Sequence, residues 1–417
     1  MSPGTNVSTN SSVSNPRIFY GWFVVAGTFA VTFVGFGCAY SFSAFLLPLQ
    51  HDFAASRGSI SLVFSIAGFL YFGLGVISGP LADRYGSRLL AVIGMILTGA
   101  GLMVASVAQT LLQVYLAYGL GVGLGIGCSY VPAVAAVQRW FWRRRGFASG
   151  LAVSGIGVGT LVVPPLTKLM IDAFDWRETY LILGIVTIVI GAGMALLIED
   201  DPSGRGLGVD GDPPAAQAPA PAGGGGAIRS AIASRRFFGL YAACFICSFG
   251  LFVPFVHLVP YALDHGISSS VAVLLVGAIG VGSTAGRFLF GGMADRLGRP
   301  LSFLIMFVGM GFSFVIWLFS TSAWPLAVFA LVYGIFYGGF VALAPAVVID
   351  YFGARQASSL IGIVYTSVAF GTLIGPSAAG FVFDVSHSYT LPILLSIGVY
   401  VVATAVLAAT SKGALAR

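Results

Sequence analysis

The sequence predicts an all-α membrane protein with twelve transmembrane helices in two pseudo-symmetric halves of six. Three observations predict it. The 417 residues are 58% hydrophobic and only 8% charged, where a soluble globular domain carries about 25% charged residues. Twelve apolar runs are long enough for a ~30 Å hydrocarbon core, and charge or turn residues separate them. One pattern, "GPLADRYGSR" at 79–88, returns as "GGMADRLGRP" at 291–300, each time after the second run of its half. In lipid the backbone must satisfy its own hydrogen bonds, so each run reads as a helix.

The elements follow in order. Residues 1–17 form a polar tail without the charged start and cleavage site of a secretory signal, so the first run reads as a retained span. The N-terminal half, 18–198, has runs at 18–45, 59–80, 89–107, 111–137, 147–170 and 179–198. Residues 199–236 are rich in Pro, Ala and Gly, the composition of a linker. The C-terminal half, 237–410, has runs at 237–262, 270–292, 301–320, 324–348, 358–382 and 389–410, and 411–417 is a short tail.

Charge placement orients the chain. With the N-terminus inside, sixteen Lys and Arg residues face the cytoplasm and three (Arg57, Lys168, Arg177) face outward. This positive-inside bias puts both termini in the cytoplasm and the chain in the plasma or inner membrane. The basic residues sit in short loops at helix ends. They fit contact with lipid headgroups and argue against a nucleic-acid footprint. Cys38, Cys128, Cys244 and Cys247 all lie inside runs. The C-x-x-C of Cys244 and Cys247 has no polar neighbours in sequence and reads as packing, not as a metal or redox site. The glycine-rich "GLGVGLGIG" at 119–127 mimics a nucleotide loop, but no strand precedes it, so it reads as close helix packing. No catalytic set appears. Neither an enzyme nor a cofactor is expected.

The repeated loops have a physical reading. Asp83 and Asp295 can accept hydrogen bonds from helix N-termini or pair with arginine, beside Arg84 and Arg296. The nearby glycines permit a tight turn and close helix contact. We read the loops as clasps that tune conformational change, and the duplication as a two-half transporter architecture.

Arg287 is the anomaly. It stands eight residues before Asp295, about 12 Å along a helix, well inside the membrane. That placement costs from about 3 to over 10 kcal/mol, depending on the reference state. The equivalent position of the first half, eight residues before Asp83, is Gly75. The fold therefore does not demand the charge. A guanidinium fork binds a carboxylate bidentately; a structural pair or snorkelling of the side chain is the other reading. Ser283 lies one turn away on the same face, placed for a substrate hydrogen bond or for packing. No Asp or Glu falls mid-span. His257, seven residues from Asp264 and flanked by Pro254 and Pro260, is a titratable group for proton relay or a satisfied core histidine. Tyr40, Cys128, Tyr130, Tyr333, Tyr337, Tyr365 and Ser367 fall near mid-helix, as site residues or as packing.

The G-x-x-x-D-R-x-G loops after the second and eighth helices resemble the signature of the major facilitator superfamily. "QRWFWRRRGFASGLAVSGIGVG" at 138–159 and "FYGWFVV" at 19–25 are similar to the matching stretches of monocarboxylate transporters. The resemblance implies that Arg287 holds a substrate carboxylate, as in that family and in the related oxalate–formate exchangers. It implies a cavity lined by helices one, four, seven, eight, ten and eleven. Ser283 stands where the family often has an aspartate, which removes the usual proton-carrying carboxylate. The function implied is proton-coupled symport of a lactate- or pyruvate-like monocarboxylate by a monomer, with the proton on His257 or on the acid–Arg287 unit. An oxalate–formate type exchanger is the alternative, although the lysine expected on helix eleven is absent. So is a transport-inactive sensor. A drug antiporter would need an intramembrane acid, and there is none.

Overall fold

The computed structural model describes residues 19–212, 225–352 and 357–411. Among them all regular structure is helical. Twelve spanning elements are α1 (Gly21–Phe53), α2 (Arg57–Gly73 with Gly75–Tyr85), α3 (Ser87–Ser106), α4 (Leu111–Trp140), α5 (Arg145–Ala173), α6 (Trp176–Ala195), α7 (Arg235–Asp264), α8 (Ser269–Leu297), α9 (Arg299–Leu318), α10 (Ala323–Phe352), α11 (Ala357–Ser386) and α12 (Thr390–Ser411). A short helix, Gly225–Ile232, precedes α7. The tail at 1–17, residues 213–224 of the linker and residues 412–417 lie outside the described residues.

The helix count expected from hydropathy holds, with one deviation in form. The second span bends by 49° between its two pieces. Leu74 sits at the break between Gly73 and Gly75, and Pro80 removes one backbone donor from the lower piece. Gly75, the counterpart of Arg287, therefore occupies a hinge in the first half.

The two halves repeat each other's packing. Helix α1 lies along α5 as α7 lies along α11. Likewise α2–α4 matches α8–α10, α3–α4 matches α9–α10, and α3–α6 matches α9–α12. The most extensive packing between the halves is α2 with α11 and α8 with α5, which the same six-helix shift exchanges, and the far part of α1 also packs on α7. Glycines make the second one possible. A Cβ on Gly280 of α8 would stand 2.5 Å from the Gly157 carbonyl oxygen and 2.7 Å from the Leu161 nitrogen of α5. With backbones this close, the side chains between the halves meet along one central seam.

For the geometry below, the linker end is the end where α1 begins and α6 stops. The far end carries the α1–α2, α7–α8 and α11–α12 connections.

Candidate functional site

Arg287 projects into the central seam and is 5% exposed. Small residues on α8 bring it there. Gly282 packs against the α10 backbone, 2.8 Å from Ile335 nitrogen for an added Cβ, while Gly280 packs against α5. The guanidinium uses Nη1 to donate to the Val153 carbonyl of α5 at 2.5 Å. Its Nε and Nη2 have no partner among the described residues. These two N–H groups share one edge of the planar fork, the edge that grips a carboxylate side-on. Burying a cation with one neutral acceptor is unfavourable, and an anion at the free edge would relieve that cost.

Four tyrosines stand within electrostatic reach of the guanidinium: Tyr40, Tyr130, Tyr337 and Tyr365. They pair across the halves. The Tyr40 and Tyr337 hydroxyls are 3.1 Å apart, joining α1 to α10. Tyr130 of α4 and Tyr365 of α11 also interact through their side chains. All four line a narrow cavity of about 20 Å³, together with Phe36, Phe72, Phe252, Phe340 and aliphatic residues including Ile156. Arg287 itself is not among the wall residues.

A second cluster seals the far end of the seam. Arg57, at the start of α2, holds Asp264 of α7 through Nη1–Oδ2 at 2.6 Å and Nη2–Oδ1 at 2.7 Å. Its guanidinium lies 4.1 Å over the Phe383 ring of α11. Asp384 of α11 accepts the backbone N–H groups of Arg57 and Gly58, both at 2.9 Å, capping an orphan helix end. Tyr389 accepts from Arg57 Nη1 at 3.1 Å. His257 sits beneath it, fully buried. Its Nε2 lies 2.8 Å from the Pro376 carbonyl and so carries the proton, while Nδ1 takes a hydrogen bond from the Tyr389 hydroxyl at 3.1 Å. One turn further in, Ser377 donates to Ser65 at 2.8 Å. Every one of these contacts except His257–Tyr389 and His257–Pro376 crosses between the halves.

The family model of the Major Facilitator Superfamily matches residues 27–281 and 238–413. The chain belongs to that superfamily. Its similar relatives are monocarboxylate transporters. Monocarboxylate transporter 11 of Homo sapiens is 30% identical over 387 residues, which is 90% of this chain and 80% of the relative. Monocarboxylate transporter 3 of Rattus norvegicus is 31% identical over 398 residues, 94% of this chain and 80% of the relative. The crystal structure of a bacterial homolog to the human lysosomal transporter Spinster, inward-facing and unoccupied, matches with a TM-score of 0.74 at 15% identity. That match covers 94% of this chain and 97% of the other, and it shows the fold.

In this major facilitator chain the sequence-derived residues divide by position. Arg287, Tyr40, Tyr130, Tyr337 and Tyr365 converge. Ser283 is buried with an unpartnered hydroxyl, against α10 where Gly338 makes room for its backbone. It is not on the cavity wall. Cys128 is half-buried, roughly 200° around α4 from Tyr130, and also off the wall. Ser367 bonds back to the Val364 carbonyl at 2.5 Å. Tyr333 is buried and donates to the Leu251 carbonyl. His257 belongs to the far-end seal.

At the linker end, Asp83 accepts from Arg139 at 2.6 Å, and Arg139 also reaches Asp200 at 3.1 Å. Arg84 is exposed over the Tyr85 ring and Arg296 is exposed; the Asp295 side chain lies outside the described residues. Glu199 receives Arg88 and both Arg205 donors, and the Arg205 fork holds its carboxyl below the usual range. Sequence reading missed the Arg57–Asp264–Asp384 seal, because it placed those charges at outer helix ends and gave them no partners. The available signal was their depth: opposite charges from different halves at one end of the bundle.

Proposed function

We propose that this chain is a secondary active carrier of small monocarboxylates of the lactate and pyruvate kind, coupled to proton movement. The observation that carries the reading is the free Nε–Nη2 edge of buried Arg287, set beside a cavity walled by hydroxyl-bearing rings. A single carboxylate satisfies both donors and neutralises the buried cation. Tyr40 and Tyr337 can then turn their hydroxyls from each other to the substrate. The Arg-rich linker end is cytoplasmic by the positive-inside rule.

Transport proceeds as a monomer by rocking of the halves about the central site. Closing an apolar seam over an unpaired guanidinium is costly. Closing it over a neutral ion pair is not. Substrate therefore permits the crossing that the free carrier resists. His257 supplies the proton site. Opening the far end separates Tyr389 and His257 from Arg57 and wets the ring. Its protonation is thereby linked to the conformation, and the linkage is reciprocal.

The experiment is uptake of labelled lactate and pyruvate into proteoliposomes. An inward proton gradient should accelerate uptake at least several-fold, and His257→Gln should abolish that acceleration. Uptake that ignores the gradient but requires a carboxylate on the opposite side would replace symport by exchange.

A further inference from the structure

We infer that, within the lactate- and pyruvate-like class, this site binds aryl-substituted members, acids with one uncharged aromatic ring, more tightly than lactate itself. The inference rests on the reading of Arg287 as the carboxylate site and extends it to the rest of the molecule bound there.

The wall chemistry carries it. Of the twelve residues lining the cavity, eight are aromatic and four are aliphatic, and none is charged. The rings come from both halves and approach one another edge to face or tilted. Phe36 and Tyr130 have centroids 5.1 Å apart at 82°. Phe72 lies 5.4 Å from Phe252 and 6.2 Å from Tyr365. These spacings fall in the range where aromatic pairs gain beyond simple burial. When the halves separate to admit substrate, ring faces and edges lose partners on both sides of the seam. An aryl group restores those partners. The single methyl of lactate meets one ring at most and leaves the others to water.

The polar groups limit the class further. The wall's only hydrogen-bonding side chains are the hydroxyls of the four tyrosines beside Arg287. One carboxylate and one neighbouring hydroxyl or keto oxygen can be satisfied there. No carboxylate on the wall can balance an ammonium, which would add a second positive charge beside Arg287 with only neutral acceptors to hold it. The site therefore discriminates an aryl hydroxy acid from the matching aromatic amino acid.

The test is titration calorimetry of the purified full-length chain with L-phenyllactate, L-lactate and L-phenylalanine. Phenyllactate should bind at least about tenfold more tightly than lactate, and phenylalanine at least about a hundredfold more weakly than phenyllactate. Phe72→Leu, which keeps apolar volume but removes a ring, should narrow the phenyllactate-to-lactate ratio at least threefold; Phe36→Leu provides the same readout should Phe72→Leu be poorly folded. Lactate binding as tightly as phenyllactate, with Arg287→Ala losing lactate, overturns the aryl preference and leaves the carboxylate reading intact. Phenylalanine binding as tightly as phenyllactate also overturns it. If neither acid binds the folded wild type, the carboxylate reading fails and the aryl preference falls with it.

Discussion

Replacing Asp264 by asparagine removes one charge from the far-end seal and nothing else in shape. The magnitude follows from its setting. Arg57 is 9% exposed, and the Asp264 side chain is 33% exposed. Two unit charges about 4 Å apart at an effective dielectric of ~20 attract by about 4 kcal/mol. Partial exposure of the acid and the residual acceptor oxygen of asparagine reduce the loss to about 2 kcal/mol. Asp384 still caps α2, so the halves retain part of their hold. About 2 kcal/mol shifts the balance between closed and open far ends roughly thirtyfold. The assay is alkylation of a cysteine placed at Ser65, which is fully buried and bonded to Ser377 across the seam. In a Cys128→Ser background, Asp264→Asn should accelerate its modification by one to two orders of magnitude. Rates within twofold of the Asp264 parent would refute the assignment of this cluster as the seal.

Three further outcomes follow. Ser65→Cys with Ser377→Cys should form a disulfide under oxidation, because the two hydroxyl oxygens are 2.8 Å apart; uptake should stop and return with reductant, read by transport before and after reduction. Gly157→Val should destabilise the protein by about 1–3 kcal/mol, since an added Cβ already lies 2.9 Å from the Gly280 carbonyl oxygen; a lower thermal midpoint in detergent checks it. Glu199, with its carboxyl lowered by Arg205 and Arg88, holds the first part of the linker against Tyr20 and Trp140. A depressed folded pKa contributes stability above the ordinary carboxyl value, and that contribution is lost as pH falls through the depressed value. Proteolytic nicking at 205–212 should therefore rise with acidification in wild type and be high at all pH values in Glu199→Gln.

The sequence carries the fold through composition, because a lipid-facing helix must be apolar over its whole length whatever it packs against. The bend in α2 was also written locally, as Gly73, Gly75 and Pro80. Arg287 was legible as a charge no span tolerates without cause. Its partner was not: Val153 offers only a backbone carbonyl, and which helix of the other half faces α8 depends on the packing of glycines 157 and 280. The tyrosines could be named but not sorted. Tyr333 and Tyr337 lie one turn apart on α10, yet Tyr333 bonds the Leu251 carbonyl while Tyr337 faces the cavity. The seal was invisible for a related reason. Arg57, Asp264 and Asp384 are far apart in sequence and meet only once the two halves are packed together.

The central claim is that Arg287 holds the substrate carboxylate through its Nε–Nη2 edge. Its most direct test is uptake of a labelled monocarboxylate into proteoliposomes by wild type and Arg287→Lys. Lysine keeps the charge but lacks the planar fork. The account predicts uptake lowered at least about a hundredfold in Arg287→Lys, with the protein still folded and monodisperse. Uptake near the wild-type rate would show that a point charge suffices, or that the guanidinium only ties α8 to Val153, and would contradict the account.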